Sequence, residues 1–460
     1  MPLRHLTPSA LAIALLLAAA PALAQDATPA EPVEQSPAEE APADAAPSHA
    51  PATVDAEEAA ADSGSKIPLD EIRRYVAVYS AVKAAYVEPV DDEQLMHSAI
   101  RGLLLDLDPH SAYLEGDAAE NFAEQSRGNY DGIGVEIFRQ PDGTLRVIAP
   151  IDDTPAKRAG VKAGDLIVEI DGKPLSAGDE DQSAPLRGEP GTSVELTIAR
   201  DGVDKPLHIT VERQTIRIAS VRSRMLEPGY GCVRISAFQA DTAADFERQL
   251  AQLSEQSGGQ LRGLVMDLRS NPGGLLTAAV QIADSLLEEG GIVSTRGRIA
   301  ISDAVFSATP GDRMNGAPVV VLVDAGSASA SEVLAGALSD NGRARVVGSR
   351  TFGKGSVQTL LPLDNGDSVK LTTARYYTPS GKSIQALGIV PDVVLHADAE
   401  AENGGPAPYS EADLPGHLSG DGEDQPGINA GDVLEGDSYI TAALAELKKQ
   451  VATAKPVPKG

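Results

Sequence analysis

The 460-residue chain has one cysteine and no tryptophan, and aromatic residues make up 3% of it. A single cysteine cannot pair within the chain, which excludes an intramolecular disulfide framework. Cys232 stands in the strand-like stretch GYGCVRIS, where the favoured interpretation is a small core side chain. A catalytic thiol is the less favoured one, because no histidine is near it in the sequence. We expect no metal and no cofactor.

Apolar runs long enough to cross a membrane and remain there are also missing. The one notable run, residues 11–20, follows the basic Arg4 and His5 and precedes the small-residue pattern ALA at 22–24. This order is typical of a secretory signal peptide with its cleavage site. We therefore expect residues 1–24 to be removed on export, leaving a periplasmic protein without a transmembrane segment.

Basic residues are absent from two segments that are rich in Asp and Glu. Residues 25–65 contain ten acidic residues and residues 397–437 contain eleven, so these segments carry 21 of the 29 net negative charges. Such acidity disfavours nucleic acid and anionic membranes as partners. The first segment has almost no large apolar side chain, which predicts a disordered linker. We interpret residues 397–460 as a solvated acidic tail with a short helix in SYITAALAELKKQ.

Between these segments the pattern changes twice. Over residues 66–126, apolar residues recur at helical spacing, as in IRRYVAVYSAVKAAYV, and predict a helical region whose tyrosine-bearing face packs against the protein. Over residues 127–213, strand-like stretches alternate with turns and one short helix, which predicts a small β-rich domain. Over residues 214–396, apolar strands such as APVVVLVDA alternate with helical patterns, which predicts an α/β domain with a largely parallel sheet.

The stretch DAGSASASE, residues 324–332, lies where one of these strands passes into a helix. A helix N-terminus offers unpaired backbone N–H groups and a partial positive charge, and both assist a serine that attacks a carbonyl. Ser329 and Glu332 also match a capping box, in which the serine only starts the helix. On this stretch alone the cap is the favoured interpretation, and the sequence leaves both open.

Histidine is missing from the α/β region between Thr215 and Leu395, so the usual base for a nucleophilic serine is absent there. A triad completed by a histidine from elsewhere in the fold stays open but has no support. Lys354 in TFGKGSVQT lies between two glycines, and a lysine whose pKa is lowered by burial can act as a general base. In an extended strand Lys354, Ser356 and Gln358 point to one side, so Gln358 can orient the amine. The alternative, a surface lysine in a turn, also stays open.

The stretch MDLRSNPGGLL, residues 266–276, is a third place where an apolar strand ends in a turn before a helix. Its Gly273 and Gly274 can present backbone N–H groups, or can simply form a left-handed turn. All three stretches follow the carboxyl ends of strands in one domain, where α/β folds place their functional sites. Together they predict one site.

Long runs of this sequence resemble the carboxyl-terminal processing peptidases, namely DLRSNPGG, GSASASEVLAGALSDNG, TFGKGSVQTLLPL and ARYYTPSGKSIQALGIVPD. The resemblance covers about residues 66–396. It implies an α/β core of the ClpP/crotonase type, with an inserted PDZ domain and an N-terminal helical region. It also implies an ATP-independent serine endopeptidase with a Ser-Lys dyad. Such an enzyme recognises exposed C-terminal tails of periplasmic proteins through the PDZ domain and processes or degrades them.

The family's functional positions fall on particular residues of this chain. Ser329 corresponds to the nucleophile, Lys354 to its general base and Gln358 to the residue that supports the lysine. The oxyanion hole corresponds to the backbone N–H groups of Ala330 and of Gly273 or Gly274. Recognition of the substrate's terminal carboxylate corresponds to a loop in YDGIGVEI made of four residues: Gly132, Ile133, Gly134 and Val135.

Two features depart from the family pattern. The acidic segments are not part of its core, and His110 stands where an aromatic residue is common, which we interpret as a packing variation without effect on catalysis. Expected partners are proteins with unstructured C-termini. A tetratricopeptide-type adaptor lipoprotein is a further expectation from the resemblance, and homo-oligomerisation is left open. Two alternatives are a catalytically silent PDZ scaffold that binds peptides, and a crotonase-like acyl-CoA enzyme, which the lack of a basic phosphate-binding cluster disfavours.

Overall fold

The computed structural model describes residues 67–177, 183–299, 302–397, 409–421 and 429–453. The expected signal peptide, 1–24, and the predicted disordered linker, 25–65, lie outside these residues. The helices are α1 Leu69–Ala85, α2 Asp92–Leu105, α3 Gly116–Arg127, α4 Pro155–Arg158, α5 Thr242–Gln256, α6 Leu276–Asp284, α7 Ala330–Asp340 and α8 Asp437–Thr453. The first ten strands are β1 Ala112–Leu114, β2 Asn129–Gly132, β3 Val135–Arg139, β4 Leu145–Pro150, β5 Leu166–Ile170, β6 Lys173–Pro174, β7 Ser193–Ala199, β8 Leu207–Glu212, β9 Gln214–Arg217 and β10 Val221–Glu227. The remaining strands are β11 Tyr230–Ile235, β12 Gly263–Asp267, β13 Gly291–Gly297, β14 Ala304–Ser307, β15 Val319–Val323, β16 Ala344–Gly348, β17 Ser356–Pro362, β18 Ser368–Tyr377 and β19 Val393–Val394.

A six-stranded sheet in the order β10-β11-β12-β15-β16-β19 forms the centre of the fold. β10 and β11 pair antiparallel, and the other neighbours pair parallel, as predicted. Both faces are buried, which explains the continuous apolar strands. In β15, for example, Val319 and Val321 pack with the helices α5, α6 and α7, whereas Val320 and Leu322 face the opposite side.

The opposite side is covered by α8. Its Ala443 and Leu447 are fully buried and belong to one apolar cluster with Val320 and Cys232. The helix predicted in the tail therefore forms, but as part of the core rather than of a solvated tail. Burial also raises the pKa of the Cys232 thiol to about 12. Cys232 is thus a core side chain, and a catalytic thiol is excluded.

A second sheet runs β1-β18-β13-β14, with β17 paired to β18. The predicted DNG turn at 364–366 closes the β17–β18 hairpin. β1 adds to β18 through pairs such as Ala112 with Lys370. This strand lies in a region that the sequence predicts to be helical, and its three residues carry no local pattern that would reveal a partner so distant in the chain.

The β-rich domain has the five predicted strands in the order β3-β4-β5-β7-β8, with β6 added to β5. The predicted short helix is α4. A separate two-stranded ladder between β2 and β9 brings the chain's entry to this domain beside its exit. Because β3 is at the edge of the sheet, one side of that strand has no neighbour in this sheet.

The N-terminal region contains the predicted helices α1 and α2, followed by α3. No residue of α1 is buried, and Tyr75 and Val76 are 44% and 52% exposed. The hydroxyl of Tyr75 contacts the Met96 sulfur of α2 at 3.4 Å. The prediction that this face packs against the protein is wrong, because no further layer of the described chain covers it. Within the described ranges, no helix combines the length and the apolar character needed to span a bilayer.

Candidate active site

The three predicted stretches meet because β12, β15 and β16 are neighbours in the central sheet. The NPGG turn follows β12, the turn with Ser329 follows β15, and the loop with Lys354 follows β16. The carboxyl ends of parallel strands share one edge of a sheet, so all three lie at that edge.

Ser329 occupies a strained turn. Its φ of 55° and ψ of −115° lie outside the conformations that a residue with a side chain adopts readily, at a cost of about 1–3 kcal/mol. Strain of this size persists only where the surrounding structure imposes it, and it is concentrated at functional sites. The residue is 7% exposed at the start of α7.

The three serines of this turn have different partners. The hydroxyls of Ser327 and Ser331 donate to the backbone carbonyls of Leu268 and Asn271, each at 2.9 Å. Ser329 instead has the buried hydroxyl of Tyr376 as its side-chain neighbour, and burial raises the pKa of that tyrosine to about 12. Ser329 is therefore the serine whose hydroxyl does not donate to a backbone carbonyl, although it takes part in the predicted capping box with Glu332.

Glu332 joins the turn of Ser329 to the loop of Lys354. One oxygen of its fully buried carboxylate accepts from the N–H groups of Ser329 at 2.8 Å and of Lys354 at 2.9 Å. The other accepts from the Gly353 N–H at 2.7 Å and from the Thr351 hydroxyl. Burial raises the pKa of Glu332 to about 7, while the four hydrogen bonds lower it. The carboxylate thus does more than the capping box predicts, because it fixes two loops to each other.

Lys354 is partly buried, so it is not the surface lysine of the alternative interpretation. Burial lowers its pKa from the ordinary value of 10.5 and the charge of Lys370 lowers it further, whereas Glu411, Glu332 and Asp108 raise it. Its amine forms neither a hydrogen bond nor an ion pair with any residue in the described ranges. A partly buried amine that is not in a direct ion pair is suited to lose its proton.

The side chains of Ser329 and Lys354 are not hydrogen-bonded to each other in the described structure. Their backbones are held together, since both N–H groups donate to the same oxygen of Glu332. The structure therefore brings the two predicted residues to one place with the dyad open, and their catalytic roles stay a prediction.

Gln358 lies on β17 beside Ser356. Its Nε2 donates to the Ser356 hydroxyl at 3.0 Å and to the Thr372 hydroxyl at 3.3 Å. A bulge before Gln358 interrupts the strand's alternation, yet these two side chains are on one side, as predicted. Lys354 precedes the strand. The side-chain oxygen of Gln358 has no hydrogen bond to the described residues, which leaves it available to an amine.

The predicted oxyanion-hole residues lie beside Ser329. At Gly273, with φ of 102°, an added Cβ would come within 2.8 Å of the Ser329 Cβ and 3.0 Å of the Ala330 nitrogen, so glycine is required. The Gly273 N–H donates to the Asn271 side chain at 2.9 Å. The N–H groups of Gly274 and Ala330, by contrast, donate to none of the residues that the structure describes. Unpaired backbone donors are uncommon in a folded interior and mark places that accept a ligand.

The predicted carboxylate-binding residues lie in the β-rich domain. A groove beside the edge strand β3 is lined by Tyr130, Ile133, Gly134, Val135, Ile137, Ser183, Leu186 and Arg187. Gly132 is not among them; it pairs with Gln214 in the β2–β9 ladder and with Arg187 in an isolated bridge. Sequence reasoning missed Arg187, whose guanidinium lies 5.3 Å from the centre of the Tyr130 ring. The sequence alone does not single out this arginine, because its position at the groove is visible only in the fold.

Sequence reasoning also missed Thr351, Tyr376 and Glu411. Thr351 lies close to Lys354 in the sequence, but nothing marks its hydroxyl as a partner of Glu332. Glu411 stands among many acidic neighbours in the tail, so composition hides it. Among the described residues, no group of three or more Cys, His, Asp or Glu side chains is placed to hold a metal ion.

Comparison with known proteins gives three matches along the chain. Residues 229–395 match peptidase family S41, residues 132–211 match the PDZ domain, and residues 39–118 match the N-terminal domain of the activating protease CtpB. The chain is 41% identical, over 82% of its length and 88% of the relative's, to the carboxy-terminal-processing protease of Bartonella bacilliformis. The chain belongs to the carboxy-terminal processing proteases of peptidase family S41.

Other members of this protease family show similar agreement. CtpB of Bacillus subtilis is 34% identical over 73% of this chain and 70% of that protein. A solved structure of a photosystem II D1 C-terminal processing protease is 33% identical, with a TM-score of 0.42, over 72% of this chain and 94% of that one. By its family matches and its curated relatives, the chain is a serine-type, C-terminal processing protease with a PDZ domain and an N-terminal helical region. The expected fold class is confirmed.

Proposed function

We propose that this protease is an exported, ATP-independent endopeptidase that binds free C-termini of periplasmic proteins and cleaves them with a Ser329–Lys354 dyad. The observation that carries the proposal is the shared Glu332 oxygen, which holds the backbones of both residues while Ser329 sits in a strained turn. The signal-like residues 1–24 support export. Unstructured tails require no unfolding, so the reaction needs no nucleotide.

The chemistry starts with a neutral Lys354. Its amine takes the proton of the Ser329 hydroxyl as that oxygen bonds to the scissile carbonyl carbon, and the carbonyl electron pair moves onto its oxygen. The N–H groups of Gly274 and Ala330 stabilise the oxyanion, and we assign the hole to Gly274 because the Gly273 N–H already has a partner. Collapse breaks the C–N bond, and Lys354 gives the proton to the leaving amine. Water then repeats these steps on the acyl-enzyme and restores Ser329.

We expect the dyad to close by rotation of side chains. Glu332 fixes both backbones, so the flexible Lys354 side chain turns toward Ser329 while the loops stay in place. The oxygen of Gln358 can accept one N–H of the amine and direct its lone pair at the serine.

The PDZ groove accounts for tail recognition. An extended peptide can add to the edge of β3, with its last side chain against Ile133 and Leu186. The terminal carboxylate then lies at the loop of Gly134, where backbone N–H groups favour it, and near Arg187, whose guanidinium also pairs with Glu124.

Gly134 offers a matched test of this groove. An added Cβ would lie 2.4 Å from the Thr154 Cβ, and φ is 79°, so Gly134→Ala must distort the loop. We expect Gly134→Ala to lose affinity for tail peptides by about tenfold or more, as measured by fluorescence anisotropy. Gly172→Ala is the control, because Gly172 has a similar φ of 73° but open space around it. Equal losses in both variants would show that strain alone, not the groove, is responsible.

The proposed function is tested with the chain lacking residues 1–24, β-casein as an unstructured protein, and a fluorogenic peptide ending in an apolar residue. We expect cleavage without ATP, and a kcat/KM at least about tenfold higher for the peptide with a free carboxylate than for its amide, because charge-assisted hydrogen bonds are lost in the amide. Binding without turnover across the pH range would establish the silent scaffold instead. Equal rates for acid and amide would contradict carboxylate recognition.

A further inference from the structure

Residues 409–421, here named the docking segment, belong to the acidic tail that the sequence predicts to be solvated. That prediction is wrong for this segment. Ser410 and Glu411 are 2% and 0% exposed. At Gly420 an added Cβ would lie 2.0 Å from the carbonyl oxygen of Gln385, so the backbones are in close contact. A buried carboxylate requires specific partners.

The docking segment holds the loop of Lys354. The Glu411 N–H donates to the Phe352 carbonyl at 2.9 Å, and the Glu411 carboxylate accepts from Gln385 Nε2 at 3.0 Å. The other end of Gln385, Oε1, accepts from the Gly355 N–H at 3.0 Å. Since Glu332 already binds the N–H groups of residues 353 and 354, three consecutive backbone donors around the lysine are fixed by side chains.

Glu411 also determines how the Gln385 amide is oriented. A carboxylate only accepts hydrogen bonds, so it selects the Nε2 end of Gln385, and the Leu418 carbonyl accepts from the same end at 2.9 Å. The Oε1 end is then directed at Gly355. Without the carboxylate the amide can turn, and the Gly355 N–H would face another donor.

His110 anchors Glu411 from the N-terminal region. Its Nε2 lies 2.8 and 3.0 Å from the two carboxylate oxygens. The interpretation of His110 as a packing variation is therefore wrong, because its ring is a hydrogen-bonded partner of a buried carboxylate. The charged groups that face Lys354 itself are Glu411, Glu332, Asp108 and Lys370.

We propose that Glu411 is a positioning residue for the protease reaction, which through Gln385 holds the Lys354 loop where the amine can reach Ser329. His110 keeps Glu411 in place, so the N-terminal region and the tail jointly support the loop. The proposal rests on the proposed role of Lys354 as the general base. It gives a part of the acidic tail a role at the active site.

Two variants of Glu411 separate its effects, both assayed in the full mature chain with the fluorogenic peptide. Glu411→Ala is expected to lower kcat about tenfold at unchanged KM, because the loop shifts while the PDZ groove is untouched. Glu411→Gln keeps the shape and one acceptor but removes a negative charge near Lys354. We expect it to retain most of kcat and to move the acid limb of kcat/KM toward lower pH, since less charge holds the lysine protonated. A purely structural role would not move that limb.

Asp421→Asn is the control, because it removes an exposed charge from the same segment, and it should match the unmodified protein. Unchanged kcat and an unmoved limb in both Glu411 variants, with Lys354→Ala inactive, would overturn the proposal and leave the proposed function standing. An active Lys354→Ala would overturn the proposed function itself. If thermal unfolding shows that Glu411→Ala does not fold, the test rests on Glu411→Gln alone. An acid limb of kcat/KM that does not move in that variant would then overturn the proposal.

Discussion

Ser329→Ala and Lys354→Ala each lower the kcat/KM of peptide cleavage by about 10³-fold or more, while the PDZ groove still binds tail peptides. The first change removes the nucleophile and the second removes the group that takes its proton, and members of such a unit are each indispensable. Cleavage is measured by hydrolysis of the fluorogenic peptide, and binding is measured by fluorescence anisotropy of the same peptide. Retained cleavage in both variants would contradict the assignment of Ser329 and Lys354 as the catalytic dyad.

Ser339→Ala is the matched control for the serine. Ser339 lies on the same helix, α7, and its side chain is only partly buried, so the change should leave kcat/KM within about twofold. In the unmodified protein, kcat/KM should rise with pH through a limb below 10.5, because the neutral amine is the competent form and burial lowers the pKa of Lys354. A limb near 10.5 would contradict a buried lysine as the base.

Glu332→Gln should lower kcat about 100-fold without a comparable change in KM. The carboxylate accepts four hydrogen bonds, whereas an amide of the same shape offers one oxygen and turns an NH₂ group toward two donors. Small displacements of reacting groups cost about this much in rate. Glu255→Gln, an exposed glutamate at the end of α5, should have no effect.

The pH profile gives this prediction a second readout. Burial raises the pKa of Glu332 to about 7, and only the ionised carboxylate can accept all four hydrogen bonds. Catalysis then needs Glu332 deprotonated and Lys354 neutral, so log kcat/KM should fall with a slope approaching two at the acid end. In Glu332→Gln one titration is removed, and the slope should be one. A slope of two in the variant would exclude Glu332 as the second group.

The sequence predicts those parts of the fold that depend on local pattern. The apolar run at 319–323 requires a strand covered on both faces, and the DNG at 364–366 requires a tight turn. The placement of Ser329 at a strand-to-helix turn follows in the same way. These features are encoded within a few residues, so they do not depend on distant contacts.

The parts that sequence reasoning missed depend on long-range partners. β1 is a strand because β18 lies beside it, and Glu411 is buried because Gln385 and His110 offer it hydrogen bonds. Composition cannot separate Glu411 from the acidic residues around it. The same holds for the serines of the DAGSASASE turn, because only the fold shows that Ser327 and Ser331 donate to carbonyls while Ser329 lies against the Tyr376 hydroxyl. The tyrosine-bearing face of α1 is the opposite case. Its local pattern predicts packing, but no other element of the described chain covers it.

The position of α8 along the chain has a consequence for biosynthesis. This helix follows every strand that it covers, so the sheet face with Val265, Val320 and Val347 is bare on a nascent chain. β15, which leads into the Ser329 turn, therefore gains its full support only after translation has passed residue 453. Until then this apolar face is exposed to water, and we expect it to be a site of aggregation in a chain that has not finished folding.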